Sequence, residues 1–442
     1  MLHIKSFRFD ILKAVMMFTL TVFLVACSDD DTPSGPEGSP SKVSGRISSQ
    51  SSSSNLVAKS GSVEAAVVTL AQVQADGSLK TVSNQSVQTD ASGKFVVETN
   101  LSGTKNLVVV AEEGTTKWKA IVSAEVKSGT TVYAPPLNEE STAEADIYIK
   151  VVSDGHSNEV SETDLKLLLN AEAAAQINGN TSAETQFISA VRTKTQASAQ
   201  AASNTYFGFT STQVQTMTTA RSEACANLDA DLYMSGDTDN EIEEDHKNYI
   251  NAVLSAYASN NITATSYSEL MRMELSAFTN ATASMNTEAQ LALAKNYFMK
   301  YSLVLSSAIS QQFQAAGATS AQLNAVASAG TTLYASIKNC TNEDQIDDAF
   351  VQYHSTIKSQ LSLTLNTYAS SIDTLDATIN AAGSTKTTLK AALSIGATVN
   401  AIVDAYVTFY NSIKTSTQTA LTGASSAQIN TASHILILAN MN

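Results

Sequence analysis

The last proline of this 442-residue chain is Pro136, so residues 137–442 contain none. A proline inside a helix removes a backbone hydrogen bond and costs about 3 kcal/mol, so a proline-free stretch of this length favours helices. The same stretch has apolar residues at helical spacing. Glycines stand where helices should end, at Gly179, Gly208, Gly236, Gly317, Gly383 and Gly423. We predict an all-α helical bundle over residues 153–442, with about eight to ten helices from Ser161 onward.

Two further patterns support this prediction. Thr181-x-x-Glu184 and Thr210-x-x-Gln213 fit capping boxes at helix starts. Two segments carry apolar residues at alternating steps of four and three. They are Leu361, Leu365, Tyr368, Ile372, Leu375 and Ile379, then Ile395, Val399, Ile402, Tyr406, Phe409 and Ile413. Since Gly383 lies between them, we predict two helices that pack as an antiparallel pair.

Residues 42–152 have a different pattern, of short runs rich in β-branched and aromatic residues. The runs are Val43–Ile47, Ala66–Leu70, Phe95–Thr99, Leu107–Ala111 and Trp118–Val122. Turn signals such as Asp76-Gly77 separate them, so the spacing predicts an antiparallel β-sandwich. We expect the only tryptophan, Trp118, in its core, and a last strand at Asp146–Val152. The whole is thus a multidomain α and β chain.

Part of this region resembles the carboxypeptidase regulatory-like domain, a small transthyretin-like β-sandwich. Three segments occur in an order similar to that of the family: Val43-Ser-Gly-Arg-Ile47, Ala66-Val-Val-Thr-Leu70 and Thr89-Asp-Ala-Ser-Gly-Lys-Phe95. The resemblance covers about residues 42–135. A Ser-rich insertion from Ser48 departs from the pattern, and the family's Gly-Tyr segment near the domain end is missing. The resemblance implies a structural or interaction module without catalytic activity.

The first 26 residues have the features of a secretory signal. Three basic residues precede a 13-residue apolar run, Ala14–Ala26. A helix of this length rises about 20 Å, too short for a hydrocarbon core about 30 Å thick. We predict that residues 1–26 are removed, and that residues 27–41, with three of the five prolines, form a flexible tether.

The end of this signal, Leu24-Val-Ala-Cys27, resembles the lipobox of bacterial lipoproteins. In that family the cysteine is lipidated on sulfur, as by palmitate, and becomes the new N-terminus. The resemblance implies a membrane anchor at Cys27; an ordinary Ala-x-Ala cleavage or an unused cysteine is the alternative. The acidic run Asp29–Asp31 resembles the surface-export signals of Bacteroidetes-type lipoproteins, or is simply a solvated tether. We expect an outer-membrane lipoprotein exposed on the cell surface.

The net charge of −15 excludes several classes of partner. Nucleic-acid binding needs clustered Lys and Arg, so we predict no nucleic-acid partner. The sequence contains no Gly-x-Ser-x-Gly, no His-Glu-x-x-His, no Gly-x-x-x-x-Gly-Lys and no Cys-x-x-Cys-His. We therefore predict neither an enzyme nor a cofactor.

Besides Cys27, the chain has two cysteines, Cys225 and Cys340. Two cysteines in an exported protein suggest one disulfide. Two buried free thiols are the alternative, because sequence does not show which residues are close in space.

One acidic cluster resembles the opening of a calcium loop. Its candidate ligands are Asp237, Asp239, Glu241, Glu243 and His246. Ile242 stands where the loop needs a glycine, and Asn248 where it needs a glutamate. Glu243-x-x-His246 is also half of a di-iron motif, but no second Glu-x-x-His occurs. We therefore favour the first turn of a helix, where acidic residues are stabilised, and predict no metal.

The leading functional hypothesis is a lipid-anchored surface lipoprotein with a structural, adhesive or protein-interaction role. Its partner would be an extracellular or envelope protein. The alternative is a lipoprotein that binds a small ligand or metal ion between the helices of residues 153–442.

Overall fold

A computed structural model describes residues 38–48, 63–235 and 238–441. The predicted signal peptide, Cys27, most of the tether and most of the Ser-rich insertion lie outside these residues. All elements named below belong to one compact unit, Pro40–Asn442.

The first part of the unit, residues 40–137, is the β region. Its described strands are β1 (Ser41–Arg46), β2 (Val67–Val73), β3 (Leu79–Thr81), β4 (Val87–Gln88), β5 (Lys94–Thr99), β6 (Leu107–Glu113), β7 (Thr116–Val122) and β8 (Thr131–Tyr133). They form two sheets, one in the order β5-β1-β8 and one in the order β3-β2-β6-β7, where β4 also pairs with β2. The predicted strand runs are confirmed, but β1 pairs with β8 in parallel, so the region is not purely antiparallel.

Strand β6 shows how the β region contacts the helices. All of Leu107–Ala111 is buried. Leu107, Val109 and Ala111 belong to a hydrophobic cluster that both sheets share. Val108 and Val110 point to the opposite face and belong to the cluster formed with the helices. Since neighbouring strand residues face opposite sides, a continuously apolar strand indicates a sheet covered on both faces.

The remainder, residues 139–441, is the helical part. Its described helices are α1 (Glu139–Ser153), α2 (Glu162–Leu168), α3 (Ala171–Ile177), α4 (Thr181–Ala202), α5 (Ser211–Met234), α6 (Asp239–Ala258), α7 (Ala264–Thr282), α8 (Thr287–Ala315), α9 (Ser320–Lys338), α10 (Glu343–Thr364), α11 (Ala369–Asn380), α12 (Thr385–Ala392), α13 (Val399–Ala420) and α14 (Ser426–Ala439). The large helical part is confirmed, with more helices than expected because several are short. None of the helices described here is long and apolar enough to cross a membrane.

The predicted strand at Asp146–Val152 is wrong, because this segment lies in helix α1. Asn138 caps the helix by accepting a hydrogen bond from the Ser141 N–H, and the Ser141 hydroxyl accepts one from the Asn138 N–H. Ala143, Ile147 and Val151 follow at steps of four and are buried. A short apolar run does not distinguish a strand from a buried helix, so the cap decides the structure here.

The first apolar seam is also divided differently from the prediction. Helix α10 ends at Thr364, and a 3-10 turn over Asn366–Tyr368 leads into α11. Leu361, Ile372 and Ile379 are nonetheless buried, and α11 packs on α13. In the second segment Ile395 lies outside any described helix and is 83% exposed, whereas Ile402 through Ile413 form the expected buried face of α13.

Candidate functional site

A cavity lies where the β region meets the helical part. Its polar lining consists of Arg46, Ser48, Asn138, Glu140, Ser141, Glu144, Lys166, Asp229 and His246. Its apolar lining consists of Pro135, Pro136, Leu228, Leu232 and Ile242. The space open to the centres of water-sized molecules is about 70 Å³. Each water needs roughly 10–15 Å³ of such space, so the cavity holds about five small non-hydrogen atoms or waters.

Helix α1 places two carboxyl groups in this cavity, which we name the Glu140–Glu144 pocket. Residues four apart lie on one face of a helix, so both side chains point the same way. Glu144 is only 5% exposed. Its carboxyl makes no hydrogen bond or ion pair with any residue that the structure describes, although it lines the pocket. A buried ionised carboxylate without a partner is costly, so this group either keeps a proton or receives a ligand.

The two carboxyls therefore have unusual proton affinities. Burial, and after it the neighbouring Glu140 charge, raise the pKa of Glu144 to about 8. Burial also raises the pKa of Glu140 to about 7, against the opposing charge of Lys300 on α8. At neutral pH the pair therefore keeps at least one proton.

Lys166 lines the same cavity but is fully engaged with other groups. Its ammonium group donates to the Ile121 carbonyl at 2.8 Å, to Ser123 Oγ at 2.8 Å and to Asp229 Oδ1 at 2.5 Å. A lysine has three N–H donors, so none is left for Glu144. Burial disfavours the ammonium charge, but the Asp229 carboxylate outweighs it and raises the pKa of Lys166.

His246 on α6 supplies a neutral imidazole. Its Nδ1 lies 2.8 Å from the Ile242 carbonyl oxygen, which can only accept, so Nδ1 carries the proton and Nε2 keeps a lone pair. Burial and the charge of Lys300 lower the pKa of His246 to about 4. The side chain therefore adds no positive charge at neutral pH.

A second buried cluster lies deeper among the helices, and most of its charged groups pair with one another. Lys194 and Arg221 donate to Asp164 Oδ1 at 2.7 and 2.8 Å, and the Tyr297 hydroxyl donates to Glu274 Oε2 at 2.9 Å. Burial favours protonated Asp164, but the two cations outweigh it and hold its pKa well below the ordinary value. The adjoining cavity of about 20 Å³ holds about one water, so this cluster ties helices together and offers no ligand site.

The predicted disulfide is wrong. Cys225 and Cys340 are both free and buried. Cys225 lies within α5, where its Sγ is 3.6 Å from Ser123 Oγ beside β7. Cys340 follows α9, where its thiol donates to the Ser336 carbonyl. Each thiol is thus packed against a different neighbour. Burial raises the pKa of Cys225 to about 12, which leaves it unreactive.

The acidic cluster forms the start of helix α6. Thr238 caps the helix in a capping box with Glu241, and Glu243 pairs with Lys247 and Lys338 at 2.7 Å each. Asp237 and the side chain of Asp239 lie outside what the structure describes. Residues two apart point about 200° away from each other on a helix, which separates Glu241 from Glu243. Among the described side chains, no group of three or more His, Cys, Asp or Glu could hold a metal ion. Of the candidates with described side chains, only His246 lines the pocket.

Glu140 and Glu144 were missed because their segment was predicted to belong to the β-sandwich, just before its last strand at Asp146–Val152. One signal could have revealed them. Asn138-x-x-Ser141 starts a helix, and Glu140 and Glu144 then continue the row of Ile147 and Val151. A carboxylate in line with an apolar helix face is a candidate for a buried charge.

No protein-family model, no curated protein and no solved structure matches this chain. The chemistry of the pocket follows from its own residues: two protonatable carboxyls, one neutral imidazole and an apolar wall. This arrangement accepts hydrogen bonds, and it suits a small ligand that donates them.

Proposed function

We propose that this protein is a lipid-anchored lipoprotein of the bacterial outer membrane that binds a small ligand in the Glu140–Glu144 pocket. One observation carries the binding role. Glu144 is 5% exposed, lines a cavity and has no hydrogen-bond partner among the described residues. Buried polar groups are normally partnered, so a carboxyl left open toward a cavity is the feature a ligand would satisfy.

The anchor and the location rest on the sequence alone. Cys27 in the lipobox-like segment would carry the lipid, and the acidic residues after it support exposure on the cell surface. Two or more acyl chains hold a protein firmly on a membrane, whereas one binds weakly. The tether would then hold the compact unit away from the bilayer.

The structural or adhesive role remains a prediction. It would be favoured by a contiguous apolar surface on the helical part. The large apolar side chains that are exposed in the described chain are scattered over several elements: Val67, Val96, Val214, Met234, Val351, Leu363 and Ile395. We therefore place the binding role first.

We further propose that the two sheets are the layers of a β-sandwich similar to the carboxypeptidase regulatory-like domain. The hydrophobic cluster that both sheets share supports this, with Val43 and Val97 on one sheet and Leu70 and Val122 on the other. In this proposed sandwich, strand β1 pairs with β8 in parallel, whereas its other partner, β5, is antiparallel.

Ligand-observed NMR with small fragments tests the binding role. Leu232→Trp fills the pocket from α5, and Leu323→Trp is the matched control because Leu323 is similarly half-buried on α9, away from the pocket. We expect fragments that bind the wild type and the control but not the pocket-filling variant. Fragments that bind all three equally would contradict the proposal.

Protease shaving of intact cells tests the location. We expect protease to remove the helical part from wild-type cells, and Cys27→Ala to release the protein from the membrane fraction. Protection in intact cells with cleavage after outer-membrane lysis would place the protein on the periplasmic side instead.

A further inference from the structure

We propose that the ligand of the Glu140–Glu144 pocket is a small organic cation, a primary ammonium group on a short apolar chain. This inference rests on the proposed binding function and specifies its ligand class. Three observations support it. The Glu144 carboxyl has no partner among the described residues, the nearby cations bind other groups, and one part of the pocket lining is apolar.

The positive groups around the pocket have other partners. Lys166 donates its three N–H groups to two oxygens of the β region and to Asp229. Arg46 on β1 donates through Nη2 to the carbonyls of Leu232 and Ser235 at 3.1 and 2.9 Å. Lys300 on α8 donates to the Leu167 carbonyl and to Asn296 Oδ1. A cationic ligand would therefore supply the hydrogen bonds that Glu144 lacks.

The negative groups are fewer than a metal requires. Asp229 accepts from Lys166 on one oxygen and from the Ser123 N–H, at 3.0 Å, on the other. This leaves Glu144, and Glu140 beyond its hydrogen bond from the Ala171 N–H, as the carboxyls open to a ligand. Calcium takes six to eight oxygen ligands, and no described group of three acidic or histidine side chains could hold an ion. An ammonium group needs only about three acceptors, which two carboxyls and the His246 Nε2 lone pair can provide.

The apolar part of the lining indicates that the rest of the ligand, beyond its ammonium group, is a short apolar chain. Pro135, Pro136, Leu228, Leu232 and Ile242 line the cavity beside the carboxyls. A cavity of about 70 Å³ holds about five non-hydrogen atoms. One nitrogen and three or four carbons fill this space, and burying each CH₂ favours binding by about 0.8 kcal/mol.

Binding of such a cation would be linked to protons. The groups that face the pair are Arg46, Lys166, Asp229, His246 and, from α8, Lys300. Burial raises the pKa values of Glu140 and Glu144 to about 7 and about 8, and a bound ammonium favours their ionised forms. Burial lowers the pKa of Lys300 to about 8, so its competing charge also fades with rising pH. Affinity should therefore rise with pH over this range, with release of a proton on binding.

Isothermal titration of the purified full-length lipoprotein with propylammonium chloride tests the inference. Propionate, glycine and calcium chloride at matched ionic strength are the comparison probes. We expect propylammonium to bind the wild type, with affinity that rises at least fivefold between pH 6.5 and 8.5. Heats measured in two buffers of different ionisation enthalpy should show that a proton is released. Glu144→Gln should weaken binding at least tenfold, and Glu140→Gln serves as a second variant if the first is unstable.

Glu139→Gln is the matched control, because Glu139 is exposed in the same first turn of α1. It should change the affinity less than twofold. Binding of propionate, glycine or calcium in place of propylammonium, lost on Glu144→Gln, would overturn the cation class while the binding function stands. No binding by any probe, with fragments still blocked by Leu232→Trp, would do the same. If Leu232→Trp also blocks no fragment, both proposals fail.

Discussion

The ammonium group of Lys166 lies 2.5 Å from Asp229 Oδ1, inside the protein. The two side chains are 5% and 0% exposed, and they come from helices α2 and α5. Both also bind the end of strand β7, Lys166 through the Ile121 carbonyl and Asp229 through the Ser123 N–H. This ion pair therefore joins two helices to the second sheet, at the edge of the Glu140–Glu144 pocket.

Breaking this pair on one side should be severe. Lys166→Met leaves the Asp229 carboxylate buried and unpaired, so we expect a loss of about 3–5 kcal/mol in the free energy of unfolding. The double variant Lys166→Met with Asp229→Leu removes both charges and should recover much of this loss. Urea unfolding at pH 7 measures both. Lys150→Met, in the surface pair with Asp154, is the control and should cost under about 1 kcal/mol. Equal losses for the two single variants would refute the buried pair's role.

Glu144 should make stability depend on pH. Its pKa is raised from the ordinary 4.5 to about 8 in the folded chain, so folding favours the protonated form. Its stabilising contribution is complete below pH 4.5 and is lost as the pH rises through about 8. Each pKa unit corresponds to about 1.4 kcal/mol. Glu144→Gln cannot ionise, so its stability relative to the wild type should increase by a few kcal/mol between pH 5 and 9. Denaturant unfolding across this range is the measurement, and parallel profiles for the two proteins would refute the assignment.

The thiols of Cys225 and Cys340 should not react with thiol reagents in the folded protein. Burial raises the pKa of both Cys225 and Cys340, so little thiolate forms at neutral pH. We expect neither Cys225 nor Cys340 to react with a thiol reagent under native conditions, and both to react in guanidinium, since both are free. Dithiothreitol should leave the thermal midpoint unchanged. A drop of several degrees on reduction would instead indicate a disulfide.

Asp164 should contribute the opposite pH dependence. Its burial favours the protonated form, but Lys194 and Arg221 outweigh this and depress its pKa. Its stabilisation is therefore present above the ordinary value of 3.8 and is lost as the pH falls through the lower, folded value. Asp164→Asn should cost about 3–5 kcal/mol at pH 7, because two cations lose their buried partner. The difference from wild type should shrink in acid. Thermal unfolding at pH 7 and pH 3 tests this, and a pH-independent difference would contradict it.

Local sequence determined most of the secondary structure. The absence of proline after Pro136 predicted the helical part. Thr210 and Gln213 form the capping box that their spacing predicted. The Asp90–Gly93 turn is as local: Asp90 accepts from the Ser92 and Lys94 N–H groups, and Gly93 has a φ of 75°, which few other residues adopt. These features depend on bonds between residues at most four apart. They can therefore be read from the order of residues.

The tertiary structure determined which residues line the pocket and whether the two cysteines are bonded. Glu144 becomes a candidate ligand-binding group only because residues of α2, α5, α6 and β1 line the same cavity as α1. Cys225 meets Ser123, more than a hundred residues away, and not Cys340. Burial and the charges contributed by distant segments set the proton affinity of a side chain. Sequence spacing encodes neither, so the predicted disulfide is wrong and the two carboxyls of α1 were overlooked.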